Sequence, residues 1–314
     1  RVILIRVMDK AVSLFRMIKP TVFVDDVAAD MCGPDDQIVH HLGGFVDVIA
    51  DFFTANRLEL SSKKSVCTAT TRKLGDRLVH RWKDHGIKFC ARVKALGVGM
   101  AAGCRRNMEV LTKRLRTFAA RTAKFRRLRK AGVDTARIVR TGLRGMTYGQ
   151  STTGVSDTLL HRQRVTVASM ATPGESTCGQ NLDLALIIAD GSATGKADPA
   201  YDAHLLPIGE WSLAVWETWE QHTSLQRLIA HAIRKLKKAK SPWHVGYGPA
   251  ASYVLTCWRL KWVVIDAFTV VTDQGRTLHL KLDPPAVVQR ECTLAVQRWR
   301  WRRVEKLFPQ LAAN

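Results

Sequence analysis

Two adjacent carboxylates, Asp25 and Asp26, interrupt an apolar run that otherwise has the composition of β-structure. The run extends from Thr21 to Met31 and is rich in Val and Ala. An ionised carboxylate is costly in a protein interior unless it is paired or bound to a metal. The pattern therefore predicts two short strands joined by a tight turn, which presents both carboxylates to a cleft.

Carboxylates in a rigid hairpin can hold divalent cations against phosphate groups. Nucleotidyl transfer uses two such cations, about 3.5–4 Å apart, to stabilise the attacking and leaving oxygens. We therefore interpret Asp25 and Asp26 as candidate metal ligands. The alternative is a surface turn with two solvated acids, because Asp is common in turns.

The balance of charge restricts the partners. The chain of 314 residues has 49 Lys and Arg against 27 Asp and Glu, a net charge of +22. This excess favours a polyanionic partner, above all nucleic acid, over a basic surface that is merely solvated. The seven cysteines form no Cys-x-x-Cys pair, which indicates a reducing intracellular compartment, nucleus or cytoplasm. No uninterrupted apolar stretch approaches the ~20 residues that span a bilayer, so no membrane partner is expected.

From residue 20 to about 100, predicted strands and helices alternate. The predicted elements are a helix over 1–17, the hairpin, a helix capped by Asp35 or Asp36 and running to Asn56, a strand–turn–strand over 58–70, a helix over 73–84 and a strand pair over 87–99. Residues 150–240 are predicted to be mostly helical, with loops near 173–179 and 190–207. A helix over 250–260, strands over 263–272 and 276–282, and a final helix from Pro284 complete the chain.

Composition shifts at Arg105. The stretch from Arg105 to Arg144 has 14 Lys and Arg against two acids. One apolar stripe at helical spacing comprises Leu111, Leu115, Phe118, Phe125 and Leu128, and basic residues occupy the remaining circumference. The densest basic cluster is Arg121, Lys124, Arg126, Arg127, Arg129 and Lys130. We predict that this cluster contacts duplex phosphates; a solvated helix face and a nuclear localisation tract are the alternatives.

Two further motifs suggest ligands. The segment from Arg298 to Arg303 alternates Arg and Trp and could stack bases and grip a backbone, or it could pack the last helix onto its domain. The segment from Asp190 to Ala197 superficially suggests a phosphate-binding P-loop. Its spacing is one residue short, and Ala197 replaces the Ser or Thr that would bind magnesium, which excludes that reading.

Three short motifs resemble boxes of reverse transcriptases, particularly those of non-LTR retrotransposons. Phe23-Val24-Asp25-Asp26 resembles the aromatic-x-Asp-Asp box of that family. One amphipathic helix later, Leu58–Ser65 resembles the next box, with Lys64 as the matching lysine. Lys94–Gly99 resembles the Leu-Gly strand that forms the primer grip. The three motifs stand in the family's order and spacing.

The resemblance implies an α+β fold: a partial polymerase palm over residues 1–103, a basic helical thumb-like region over 104–150 and a mostly helical C-terminal region over 151–314. It implies Mg²⁺ or Mn²⁺ bound by Asp25 and Asp26, with Asp25 the main ligand. Lys64 would be near the incoming triphosphate, unless Lys63 takes that role or Lys64 is a plain turn lysine. The implied partners are an RNA template with a DNA primer, the RNA–DNA duplex and dNTP.

The chain also departs from the family. A third catalytic Asp on an upstream strand, and a further box before the hairpin, have no counterpart, because the only earlier acid is Asp9 in a predicted helix. The chain begins with Arg1, as expected for part of a longer protein. We therefore expect a fragment of a retrotransposon-type RNA-directed DNA polymerase that is inactive alone. The alternative is a non-enzymatic basic nucleic-acid-binding protein, such as the remnant of a decayed element.

Overall fold

The computed structural model describes residues 2–23, 26–103, 106–172, 181–191, 197–218 and 222–311. The chain divides into two compact units. The N-terminal unit comprises residues 1–93 and 100–105, and the C-terminal unit comprises residues 94–99 and 106–314. The described sheets have two or three strands among many helices, so the fold is α+β, which agrees with the fold class that the resemblance implies.

Helices and short strands alternate in the N-terminal part of the chain. The elements are α1 (Val2–Leu14), β1 (Lys19–Phe23), β2 (Asp26–Asp30), α2 (Asp35–Ala55), β3 (Val66–Cys67), α3 (Arg72–Arg81), β4 (Lys88–Phe89), β5 (Val93–Ala95) and β6 (Val98–Met100). Strands β1 and β2 are antiparallel, with Phe23 opposite Asp26, so the predicted hairpin is present. Strands β3 and β4 are parallel, and β5 pairs with β6.

Helix α2 contributes to both apolar clusters of the N-terminal unit. In the first cluster, Phe45 and Ile49 of α2 pack with Val7 and Ala11 of α1. In the second, the partly buried Ile38, Val39, Leu42 and Val46 of α2 pack on Leu74, Leu78 and Trp82. Burying a side chain of this size stabilises a fold by roughly 1.5–3 kcal/mol, so these contacts hold α2 between α1 and α3.

By length and composition, α2 is the one described helix that could cross a membrane. The sequence of α2 is not an uninterrupted apolar run, because Asp47 and Asp51 divide it. Its apolar residues contact α1 and α3 in the two clusters. Asp35 and Asp36, predicted as caps, lie in the first turn of α2, where carboxylates favour the positive end of the helix dipole.

The segment over residues 58–70 was predicted as two strands and contains only one, β3. Its first residues follow the end of α2 directly. The backbone N–H of Leu58 donates a hydrogen bond to Phe53 O, so the chain forms a turn here and not a strand. The predicted helix over 73–84 is α3 followed by a single 3-10 turn at Lys83–His85. Gly86, with φ of 66°, terminates that turn.

The described C-terminal unit is mainly helical. Its helices are α4 (Glu109–Ala119), α5 (Thr122–Lys130), α6 (Thr135–Thr147), α7 (Gln150–Thr153), α8 (Asp157–Ala171), α9 (Leu182–Asp190), α10 (Ala200–Glu217), α11 (His222–Lys237), α12 (Pro242–Val245), α13 (Gly248–Arg259) and α14 (Pro285–Leu307). A three-stranded antiparallel sheet comprises β7 (Val263–Val264), β8 (Thr269–Val271) and β9 (Thr277–His279).

Helix α10 continues through a proline, Pro207, which would ordinarily break a helix. A loop was predicted as far as Pro207, but α10 begins at Ala200 and continues through that proline. A proline inside a helix costs about 3 kcal/mol. Tyr201, Ala203 and Ile208 of α10 are buried in the main core cluster, and this burial offsets the cost. Tertiary packing therefore decides the helix where local propensity opposes it.

The C-terminal sheet has one more strand than predicted. The stretch over residues 263–272 was predicted as one strand and is divided into β7 and β8. The Asp266 carboxylate accepts a hydrogen bond from Phe268 N (2.7 Å) and bends the chain between them. The predicted turn at Gln274-Gly275 is present, and Gly275 has a φ of 79°. The predicted helix over 250–260 is confirmed as α13.

Candidate nucleic-acid interface

The hairpin of β1 and β2 places Asp26 at the first position of β2. Burial alternates along this strand, so Asp26, Ala28 and Asp30 face solvent, whereas Val27 and Ala29 pack on the first apolar cluster. Asp25 lies outside the described residues. The described part of the hairpin therefore presents one exposed carboxylate, Asp26, next to the two-residue connection.

One carboxylate alone is a weak site for a divalent cation. Asp26 and Asp30 share a strand face but are four residues apart, which is about 13 Å along a strand and too far for a shared ion. Within the described ranges, no group of three or more His, Cys, Asp or Glu side chains could hold a metal ion. Asp26 has the hard oxygen donor that Mg²⁺ prefers, and its metal role stays a prediction.

Lys64 lies in a tight turn before β3. Ser61 O accepts backbone hydrogen bonds from Lys64 N (2.9 Å) and Ser65 N (2.8 Å), and the side chains of Lys63 and Lys64 are exposed. A pocket of about 300 Å³ borders this turn, and its lining includes Phe53, Leu60, Ser62, Asp84 and His85. Neither Asp26 nor Lys64 lines the pocket. Asp26 and Lys64 belong to one unit, but no described contact joins them.

The Leu-Gly motif is a turn and not the strand that the resemblance implied. Leu96 and Gly97, with φ of 45° and 80°, connect β5 to β6. Leu96 O accepts a hydrogen bond from Tyr148 Oη (3.1 Å), and the Arg114 guanidinium lies over the Tyr148 ring. The positive φ of Gly97 favours glycine, and a Cβ atom at this position would also lie only 3.0 Å from that ring. The turn is thereby fixed to α4 and to the end of α6.

The basic stretch forms two helices, α4 and α5. Leu111, Leu115 and Phe118 of α4 are buried, as the stripe predicts. In α5, Phe125 packs partly on the second core cluster of the C-terminal unit, but Leu128 is 40% exposed. The prediction that Leu128 continues the apolar stripe was therefore wrong. The reason is that α4 ends at Ala119 and a separate helix, α5, begins at Thr122.

The predicted cationic cluster divides into two groups. Arg121, Lys124, Arg126 and Arg127 are exposed, and none has a side-chain hydrogen bond or ion pair with any residue that the structure describes. Arg129 is directed inward and donates to the carbonyl oxygens of Ser169 (3.4 Å) and Thr172 at the end of α8. Lys130 is exposed, at the last position of α5. Helix α5 contains no acid, so its outer face is positive throughout.

Three aspartates and three arginines form an ion network that the sequence did not reveal. Arg164 donates to Asp183 (2.6 Å) and Asp198 (2.8 Å), and all three side chains are buried. Arg300 pairs with Asp190 and contacts Asp198. Arg303 pairs with Asp183 (3.1 Å). The available signal was three Asp at spacings of seven and eight residues, the first two within the otherwise apolar sequence of α9.

The two ends of the P-loop-like segment, Asp190 and Ala197, contact each other beside this network. One Asp190 oxygen accepts hydrogen bonds from the backbone N–H groups of Ala197 (2.6 Å) and Asp198 (3.1 Å). A phosphate-binding loop would present such N–H groups to its ligand. Burial raises the pKa of the Asp190 carboxyl despite the nearby Arg300 guanidinium. The N–H groups of Ala197 and Asp198 are therefore already paired within the protein, which agrees with the exclusion of a P-loop from the sequence.

The arginines and Trp299 of the Arg-Trp segment pack α14 onto its domain, which was the alternative reading, whereas Trp301 is 47% exposed. Arg298 and Arg302 pair with Asp273, at 2.7 and 3.2 Å. Burial alone would raise the pKa of Asp273, but hydrogen bonds and charge from Arg298 lower it below its ordinary value. The Trp299 ring has Arg164 at 5.2 Å and Arg303 at 5.0 Å. The arginines of this segment are therefore occupied within the protein.

Comparison with known proteins assigns no family to this chain. No protein-family model matches it, and neither curated proteins nor solved structures give a match.

Proposed function

We propose that the chain binds nucleic-acid duplexes through the outer face of α5. The observation that carries the proposal is the group of four exposed cations on and before this helix, Arg121, Lys124, Arg126 and Arg127, without partners among the described residues. Arg298, Arg300 and Arg302 of α14, in contrast, are paired within the unit. Phosphate contacts by unpaired cations release counterions and so favour binding.

The composition of this face favours phosphates over bases. Stacking on single strands requires exposed aromatic side chains. The aromatic residue of α5, Phe125, packs inward on the core. A face with cations and no exposed aromatic ring contacts the backbone, which carries no sequence information. We infer sequence-independent binding to a duplex, such as an RNA–DNA hybrid.

A quadruple variant tests the proposal: Arg121→Gln, Lys124→Gln, Arg126→Gln and Arg127→Gln. The logarithm of the binding constant, plotted against the logarithm of salt concentration, should lose about 0.9 of slope for each phosphate contact removed. Gln is a good helix former, and no residue of α5 is buried, so the fold should persist.

The control removes four exposed lysines of the N-terminal unit, at positions 10, 73, 83 and 88, and has the same net charge as the quadruple variant. A general effect of charge would flatten the slope equally in both proteins. A slope in the α5 variant equal to that of the wild type, or a loss matched by the control, contradicts the proposal.

We further propose that the chain is a fragment of a retrotransposon-type RNA-directed DNA polymerase, with a partial palm and a basic thumb. In this proposal Asp25 and Asp26 hold Mg²⁺ or Mn²⁺, and Lys64 approaches the triphosphate of the dNTP. Its support is the β1–β2 hairpin, which has Asp26 beside a two-residue connection. The bound ions would stabilise the attacking and leaving oxygens, with carboxylates of the hairpin as their ligands.

The chain alone should not extend a DNA primer on an RNA template. The reason is that the described residues bring no third acid to Asp26, whereas a two-cation site needs several carboxylate oxygens. Primer extension with Mg²⁺ and, separately, with Mn²⁺ measures this, and duplex binding by the same preparation shows that the protein is folded. Incorporation of dNTP that is lost in the Asp26→Asn variant would contradict the prediction of an inactive chain.

A further inference from the structure

Helix α11 is basic and contains no acidic residue over its whole length, His222–Lys237. Lys238 and Lys240 extend this charge beyond the helix. The sequence alone does not indicate a basic surface here, because these cations are spread over four helical turns and do not form a dense cluster.

The two sides of α11 have opposite character. Ile229, Ala232 and Leu236 are buried in the main core cluster, which also contains residues of α13. Arg227, His231, Arg234 and Lys238 follow at spacings of four, three and four residues and are all exposed. With 3.6 residues per turn and a rise of about 1.5 Å per residue, these four side chains form one stripe about 16 Å long. We refer to Arg227, His231, Arg234 and Lys238 as the α11 stripe.

The α11 stripe is not used within the protein. None of its four side chains has a hydrogen bond, ion pair or ring contact with a residue that the structure describes. The neighbouring Lys235 differs, since its ammonium group lies 4.1 Å from the centroid of the Tyr247 ring. Exposed Thr223 and Ser224, near the start of the helix, add hydroxyl donors that suit phosphate oxygens.

We propose that the α11 stripe is a second contact surface for the sugar-phosphate backbone of a nucleic-acid duplex. The proposal rests on the proposed duplex binding for the identity of the partner and adds a site that is separate in sequence from α5. Charge complementarity argues for a polyanion, because the α11 stripe has three cations, Arg227, Arg234 and Lys238, and no compensating acid. The absence of Phe, Tyr and Trp from α11 argues against base stacking and hence against single strands.

The same helix does not suit a membrane surface. An interfacial helix binds lipid by burying a whole apolar face, and the apolar face of α11 is already covered by the protein core. Leu228, 54% exposed, lies beside the stripe as a single apolar side chain. A lone exposed leucine is ordinary on a protein surface.

The test is a triple variant, Arg227→Gln, Arg234→Gln and Lys238→Gln, in the full chain. Binding to duplexes of unrelated sequences is measured against salt concentration. The slope of the logarithmic plot should flatten by about 2.7, at 0.9 for each of three contacts, and equally for every sequence. The variant Arg227→Lys with Arg234→Lys keeps the charges and should keep the wild-type slope.

The outcomes separate the two proposals. A control without Lys73, Lys83 and Lys88 matches the change in charge and should retain the wild-type slope. If the α5 variant loses slope and the α11 variant does not, the inference about α11 is overturned, and duplex binding stands. If neither variant loses slope, duplex binding itself fails. Reduced binding of the α11 variant to anionic lipid vesicles or to an acidic peptide, with duplex affinity unchanged, also overturns the inference.

Discussion

Replacing Asp198 by Asn should destabilise the C-terminal unit by about 3–5 kcal/mol, the usual result of removing one partner from a buried ion network. Asp198 is 1% exposed and accepts hydrogen bonds from the guanidinium group of Arg164. It also contacts Arg300 and receives the backbone N–H of Ala200 at the start of α10. The amide cannot balance either guanidinium, so two buried cations lose part of their compensation.

Tryptophan fluorescence during denaturant unfolding measures this effect. Of the nine tryptophans, only Trp82 lies in the N-terminal unit, so the signal reports mainly on the C-terminal unit. The ring of Trp299 lies 5.2 Å from the guanidinium of Arg164, within the network itself. The exposed Glu305 on α14 provides a control, because Glu305→Gln also removes one negative charge and should change stability by less than about 0.5 kcal/mol. Equal effects of the two substitutions would show that the network contributes nothing specific.

Local patterns predicted the parts of the fold that depend on neighbours in sequence. The hairpin follows from an apolar run interrupted by two acids, and α2 follows from apolar residues at spacings of three and four. The path of α10 through Pro207 could not be predicted in this way, because its cause is burial against distant helices. The ion network is similar: Arg300 and Asp190 are separated by 110 residues.

In the candidate interface, too, local sequence patterns predict the helix but not the direction of every side chain. The density of cations predicted α5 as a basic helix, and Arg121, Lys124, Arg126 and Arg127 are indeed exposed. The inward direction of Arg129 depends on carbonyl groups at the end of α8, some 40 residues away. The α11 stripe depends on which side of that helix the core covers. Sequence therefore locates the positive charge, and tertiary packing determines which cations remain available to a partner.

A second large effect is expected from His204, which should make the C-terminal unit sensitive to acid. The ring is fully buried in α10; its Nδ1 is paired with Ala200 O, and its Nε2 has no hydrogen-bond partner in the described part of the chain. The Trp299 ring packs against it at 5.4 Å between centroids. Burial first, and then the positive charges of Arg259 and Arg164, lower the pKa of His204 from 6.5 to about 3, despite the Ala200 carbonyl.

The sign of the effect follows from the protons bound in each state. Between pH 6.5 and about 3 the unfolded chain takes up a proton at His204 that the folded chain does not, so stability falls as the pH falls through this range. The loss reaches on the order of 4–5 kcal/mol at the acid end, at about 1.36 kcal/mol for each pH unit. A His204→Gln variant cannot titrate at this position, so its unfolding free energy should decline less steeply than that of the wild type between pH 6 and 4.5. The exposed His231→Gln serves as the matched control, and identical pH profiles for the His204 variant and the wild type would contradict the assignment.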